Sequence, residues 1–266
     1  MLRLNSIAKI IRVLVFTILL PVPLGNAQSR PVRSEELLTH ARKIYYNLRR
    51  LGFNGFQATI EPNWEVILAD TATEENLKVF SAVHFFITVD AQGTVTLRHE
   101  VDEKQRTRVK PYVTQIHDDV LRLVAGFFRT WSFFTIDSPF PDTQIKIESV
   151  GTQHFVSYTF RSDQVVLDMS PDYVLTEGRF VGPTSRRVVN PIFEMTPDGF
   201  VLTGYHTVLE PVAAGVRSTM DTRVEYQDVG GMKLPSKIQI KGMYGSEPIE
   251  AELKFTRYVP NSRQPN

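Results

Sequence analysis

The chain has 266 residues, 42% hydrophobic and 11% aromatic, a globular composition long enough for one large domain or two small ones. It has no Cys, which excludes disulfides, thiolate metal sites, iron–sulfur clusters and a Cys nucleophile. With 30 basic and 29 acidic residues it lacks the basic surplus of a nucleic-acid binder.

Residues 1–27 read as a signal peptide. Arg3, Lys9 and Arg12 are basic, Val13 to Leu20 is apolar, Pro21 and Pro23 break the run, and Gly25 and Ala27 put small residues at a cleavage site after Ala27. The run is shorter than the about 20 residues of a membrane span. Removing it takes the balance from 30 basic against 29 acidic to 27 against 29, so the basicity belongs to the export signal. A chain with neither Cys nor an Asn-x-Ser/Thr sequon fits a bacterial periplasmic or secreted location.

Ser34 is an N-cap candidate, followed by Glu35 and Glu36 in a first turn. Leu37, Ala41, Ile44, Leu48 and Leu51 form one apolar stripe, predicting a helix over 34–51 closed by Gly52. A strand is expected at 55–60, and a short helix through Trp64, Ile67 and Leu68. Thr71-x-x-Glu74 resembles a capping box opening another short helix. Phe85, Ile87 and Val89, then Val95 and Leu97, alternate around Asp90–Gly93 and predict a hairpin. After a charged connector, Val113, Ile116, Val120, Leu123, Phe127, Trp131 and Phe134 predict the longest helix, over 111–134.

From Gln144 the texture changes to period-2 alternation punctuated by Gly and Pro. Strands are expected near 144–150, 154–160, 164–169, 173–180, 192–196, 200–209, 218–228, 232–244 and 249–258. Hairpin-length connections imply an antiparallel meander. The fold expected is one α+β domain over 28–260, a strongly curved antiparallel sheet (an unclosed β-barrel) with helices covering its concave face, followed by a polar tail at 261–266. A second boundary at 135–143 is disfavoured, because the helices before it would lack a partner for their apolar stripes.

No motif specifies a reaction. There is no nucleophile elbow, zinc-protease helix, P-loop or dinucleotide fingerprint. His40, His84, His99, His117, His154 and His206 show no metal-ligand spacing, and no metal or cofactor is expected. His84 and His99 would face each other across the hairpin, but without an adjacent carboxylate they read as solvent-facing. His206, in phase with Phe200 and Leu202, is expected on the inner face as a hydrogen-bonded core residue. Asp118 and Asp119 read as a solvated helix face, and Glu194 and Asp198 as turn chemistry.

The aromatic run from Phe127 to Phe134 exceeds what one helix stripe needs. It fits core filling against the sheet, or the wall of an apolar cavity with Phe127, Trp131 and Phe134 as lining.

The stretch Tyr226-Gln227-Asp228-Val229-Gly230-Gly231-Met232-Lys233-Leu234-Pro235-Ser236-Lys237-Ile238 resembles a hairpin of the outer-membrane lipoprotein-sorting superfamily, the LolA-like and LolB-like proteins. There a Tyr-rich strand, a Gly turn, a Leu-Pro and a Lys-Ile strand recur. Phe200 to Tyr205, after Pro197-Asp198-Gly199, is similar too. Leu51 to Phe56 and Pro62-Asn63-Trp64 resemble an uncharacterised family of exported bacterial proteins. The resemblance implies an unclosed β-barrel whose covered concave face binds acyl chains. No functional residue of that superfamily maps onto this chain.

The leading expectation is an exported, non-enzymatic binder or carrier of lipid or lipidated cargo (an acylated protein), with ligand contacts from Phe127, Trp131 and Phe134. Transient membrane contact and no nucleic acid are expected. One alternative is a structural or interaction protein of the envelope with a packed core. Another is a hydrolase using scattered carboxylates or His206.

Overall fold

The computed structural model describes residues 34–141, 144–213 and 215–261. The segment read as a signal peptide, and the polar tail beyond 261, lie outside the described residues. Twelve strands form one antiparallel sheet: β1 (Phe56–Pro62), β2 (Val83–Val89), β3 (Val95–Val101), β4 (Lys146–Val150), β5 (Gln153–Phe160), β6 (Asp163–Met169), β7 (Leu175–Val181), β8 (Ser185–Thr196), β9 (Gly199–Pro211), β10 (Ser218–Val229), β11 (Met232–Tyr244) and β12 (Glu247–Pro260). Their order is β3-β2-β1-β12-β11-β10-β9-β8-β7-β6-β5-β4, so the sheet is not closed. Its two edges are the strands on either side of the longest helix among the described residues.

The helices are α1 (Ser34–Ile44), α2 (Trp64–Leu68), α3 (Glu74–Phe80), α4 (Arg106–Val109) and α5 (Val113–Thr135). Helix α5 begins with its apolar stripe at Val113, two residues after the start that Pro111 suggests. Its inner residues touch most of the sheet. Phe128 packs on Phe56 of β1 and Phe255 of β12, Trp131 on Tyr226 of β10, Phe133 on Phe160 of β5 and Phe180 of β7, and Phe134 on Phe193 of β8. Twelve strands laid flat would be about 50 Å wide, and a helix only about 10 Å thick. One helix can reach strands that far apart in the order only because the sheet curves around it.

Four interruptions of register help it bend, at Gln57/Thr59, Asp168/Met169, Ile192/Phe193 and Glu225/Tyr226. The inner-face alternation read from the sequence is present in β2, where Phe85, Ile87 and Val89 are buried and His84 and Thr88 exposed.

Three local expectations are corrected. Helix α1 stops at Ile44 and does not run to Leu51. Tyr45 bridges to Phe200, and the Tyr46 amide donates to the Phe200 carbonyl at 3.0 Å, so the start of β9 takes the backbone groups a longer helix would use. Gly199 permits this approach, since a Cβ there would lie 2.5 Å from the Ile44 carbonyl oxygen. Leu48 is still buried, but Leu51 is half exposed in a 3-10 turn that Gly52 ends at φ +84°. The cap of α3 is Thr73, whose hydroxyl accepts from the Asn76 amide, while Thr71 donates to the Leu68 carbonyl. Strand β8 begins at Ser185, seven residues before the expected start, because Arg186, Arg187, Asn190 and Pro191 mask its period.

Polar ties fix the helices to the sheet. The Tyr45 hydroxyl donates to the Tyr173 carbonyl and accepts from the Leu175 amide, and the Tyr46 hydroxyl accepts from the Lys233 amide. The Trp131 indole donates to the Tyr226 hydroxyl at 3.1 Å, which donates in turn to the Leu202 carbonyl at 2.5 Å. Trp131→Ala is expected to lower unfolding free energy by about 3–5 kcal/mol. Tyr226→Phe, which leaves the buried indole N–H without an acceptor, should cost about 1–3 kcal/mol. Guanidinium denaturation of the two variants checks the order.

Candidate functional site

Phe127, Trp131 and Phe134, expected as ligand contacts, lie between α5 and the sheet, each 2% exposed or less. Phe127 meets Phe128 and Trp131, and Phe134 meets Phe133 and Phe193. Beneath α5 they pack against one another and against rings of the sheet. Burial raises the Tyr226 hydroxyl well above its ordinary range, so the group that ends this cluster stays protonated.

Two other features stand open to solvent. The first is a cleft of about 270 Å³ beside α5. One side is the β2–β3 turn, Gln92 to Val95; the other is the β5–β6 turn, Phe160 to Asp163, with Phe180 of β7 and Arg187 of β8. Helix α5 contributes Arg129, Ser132 and Phe133. Phe133 meets Phe160 at 5.6 Å and Phe180 at 5.0 Å, giving the cleft an aromatic wall. Arg161 lies over the Phe160 ring and Arg187 over the Phe180 ring. Arg129 reaches Asp163 at 3.5 Å, and Asp137 is held by Arg49 at 2.5 Å.

The turn on the near side is built by Asp90, whose carboxylate accepts from the Gln92 and Thr94 amides. Gly93, at φ +78°, completes it. A Cβ there would lie 1.9 Å from the Ser132 hydroxyl, so only Gly lets the hairpin close on α5. No spacing in the sequence announces this cleft, because its charged residues come from four separate segments.

The second feature is an apolar rim formed by three turns at one end of the sheet. Val181, Val212, Val216, Met243 and Tyr244 are 39 to 56% exposed there. The turns are tied together: the Val212 amide donates to the Thr184 carbonyl and the Gly245 amide to the Arg217 carbonyl. Val216 packs close against Gly245. The rim and the cleft adjoin at the β7–β8 turn, where the carboxylate of Asp163, which lines the cleft, lies against Gly182.

The histidines separate. His84 is paired with Glu100 and His99 with Phe85, so the two lie on opposite faces of the hairpin and do not face each other. His84 contacts Asp102 at 3.0 Å. His206 is turned to the outer face, where it meets Asp221 at 2.9 Å. The irregularity opposite Ile192/Phe193 passes over Thr203, so Leu202 and Tyr205 are both buried and the expected phase of His206 is reversed. Among the described residues no three His, Cys, Asp or Glu converge as a metal site. Asp119 pairs with Arg122 on the exposed face of α5, the solvated role expected of it, and Asp198, expected to serve the turn, pairs with Lys233.

No family model, curated protein or solved structure matches the chain. Nothing in those comparisons links it to the lipoprotein-sorting superfamily, so that resemblance stands on the hairpin residues alone.

His99 of β3 lies 5.0 Å, centre to centre, from His117 of α5. Burial first, and the His117 charge second, hold His99 below its ordinary value of 6.5. His117 itself contacts Asp118 and the Leu97 carbonyl. The unfolded chain therefore takes up a proton at His99 before the folded chain does. The stability this site allows is complete above about pH 6.5 and falls as pH drops through that value toward the depressed folded one. Denaturation midpoints should fall from about pH 7.5 to about pH 5.5, and fall less in His99→Gln.

Proposed function

We propose that the protein is an exported, non-enzymatic binding protein of the cell envelope. Its half-barrel, with helices over the concave face, presents the apolar rim to a lipid surface to collect or dock lipid or lipid-modified cargo. The observation that carries this reading is the rim: five large apolar side chains left exposed on three neighbouring turns and their strand ends, two of the turns tied by backbone hydrogen bonds. Turn tips can insert among lipid headgroups without opening the core. Each inserted side chain of this kind contributes about 1 kcal/mol of apolar burial, and a basic residue near an anionic surface a similar amount. Arg186 and Arg217 flank the rim, with Glu210 beside Arg217 at 3.3 Å.

The packing beneath α5 favours contact at the surface over storage of an acyl chain behind it. It equally suits the second reading, an envelope interaction protein with a packed core, and vesicle binding separates the two. The protein should co-sediment with vesicles of phosphatidylethanolamine and phosphatidylglycerol. The double variant Val212→Asp/Val216→Asp should lose most of that binding while keeping its circular dichroism and melting temperature. Failure of the unaltered protein to bind any vesicle would shift the assignment to the interaction protein.

Export has its own check. N-terminal sequencing of the protein recovered from the envelope or medium should begin at Gln28.

A further inference from the structure

We propose that the cleft beside α5 binds a phosphate group, with Arg187 and Arg129 as its anchors. The inference stands on the cleft's own side chains and does not depend on the rim.

A buried guanidinium is costly unless an anion or good acceptors compensate it. Arg187 is part-buried, and its direct contacts are the Phe180 ring at 4.5 Å and the Thr130 hydroxyl at 3.5 Å, a weak distance for a hydrogen bond. Among the described residues no carboxylate lies within ion-pair reach of it. Its charged neighbours are Arg129, which repels it, and Asp163, whose attraction is the smaller effect. Burial and Arg129 together bring its acidity constant down to about 10, the sign of a cation whose surroundings do not balance it.

The charge of the cleft points the same way. Asp137 is neutralised by Arg49, leaving Arg129, Arg161 and Arg187 against the single carboxylate of Asp163. Two positive charges remain unanswered. A phosphate monoester carries about −1.5 to −2 at neutral pH and offers three oxygens to the planar donors of arginine. Ser132 adds an independent mark: it lines the cleft, is 95% buried, and its hydroxyl has no hydrogen-bond partner. A buried hydroxyl left unpaired beside such a cleft is a donor awaiting an acceptor.

The size restricts the ligand. About 270 Å³ lies below the roughly 300–1,000 Å³ of sites for drug-sized molecules. It suits a phosphate and a short adjoining group against Phe133, Phe160 and Phe180. The phosphate can come from a lipid headgroup or from a soluble phosphate.

Isothermal titration with inorganic phosphate and with octyl phosphate below its micelle concentration tests the site. Saturable binding of one molecule is expected. Tighter binding of octyl phosphate assigns the site to a headgroup, and equal or tighter binding of inorganic phosphate to a soluble ligand. Arg129→Gln/Arg161→Ala, both at exposed positions, should weaken binding at least tenfold without altering circular dichroism. Arg187→Met, which keeps the apolar stem and removes the part-buried charge, should weaken it as much while melting no lower than the parent; a merely structural Arg187 would instead lower melting. Val212→Asp/Val216→Asp should bind phosphate like the parent, so loss of vesicle binding and loss of this site are read separately. Absence of binding by either probe, or binding unchanged in Arg129→Gln/Arg161→Ala, overturns the proposal.

Discussion

The constraint on which this structure depends is that one helix connects the two edges of the sheet. Strand β3 is at one end of the strand order and β4 at the other, and α5 lies between them in the chain. Twenty-three helical residues span about 35 Å, well short of the about 50 Å a flat twelve-stranded sheet would need. The contacts of α5 with strands from both sides of the order show that the sheet curves around it, so the apolar inner face wraps the helix that joins its edges. Side chains from β1, β5, β7, β8, β10 and β12 meet on α5, which is why its second half is aromatic on more than one side.

Much of this was legible in sequence because it rests on local period. The period-2 segments located the strands, and the stripe from Val113 to Phe134 located α5. The excess of Phe and Trp over one stripe was also visible, and its cause is now plain: a helix surrounded by sheet needs apolar residues on several faces. Local period failed where distant backbone intervened. Leu48 and Leu51 continue the stripe of α1, yet Tyr45 and Tyr46 pair with β9. Counting in twos puts His206 on the inner face, and one register irregularity turns it outward.

The candidate sites were less legible for a related reason. Arg129, Arg161, Asp163 and Arg187 come from a helix, two strands and a turn, and only the curvature brings them to one cleft. Arg187 even obscured its own strand, since a charged residue in the first half of β8 breaks the apolar alternation. The rim was hidden differently. Val181, Val212, Val216, Met243 and Tyr244 look like ordinary strand ends one at a time, and their exposure together follows from strand order. Both features lie at the margins of the sheet, where packing of the core does not dictate residue type.

The pairing of β1 with β12 has a consequence for how the chain comes to be folded. Phe56 lies opposite Pro260, so strands from nearly the two extremes of the described chain are neighbours inside the sheet, third and fourth in its order and not at its border. Until β12 arrives, β1, β2 and β3 have no bond to the other eight strands, and Phe255 is missing from the cluster around Phe128. Such long-range closure is slow to form. The complete twelve-stranded sheet therefore closes late, with β12 as the seam between a three-stranded part and an eight-stranded part that can each pair locally beforehand.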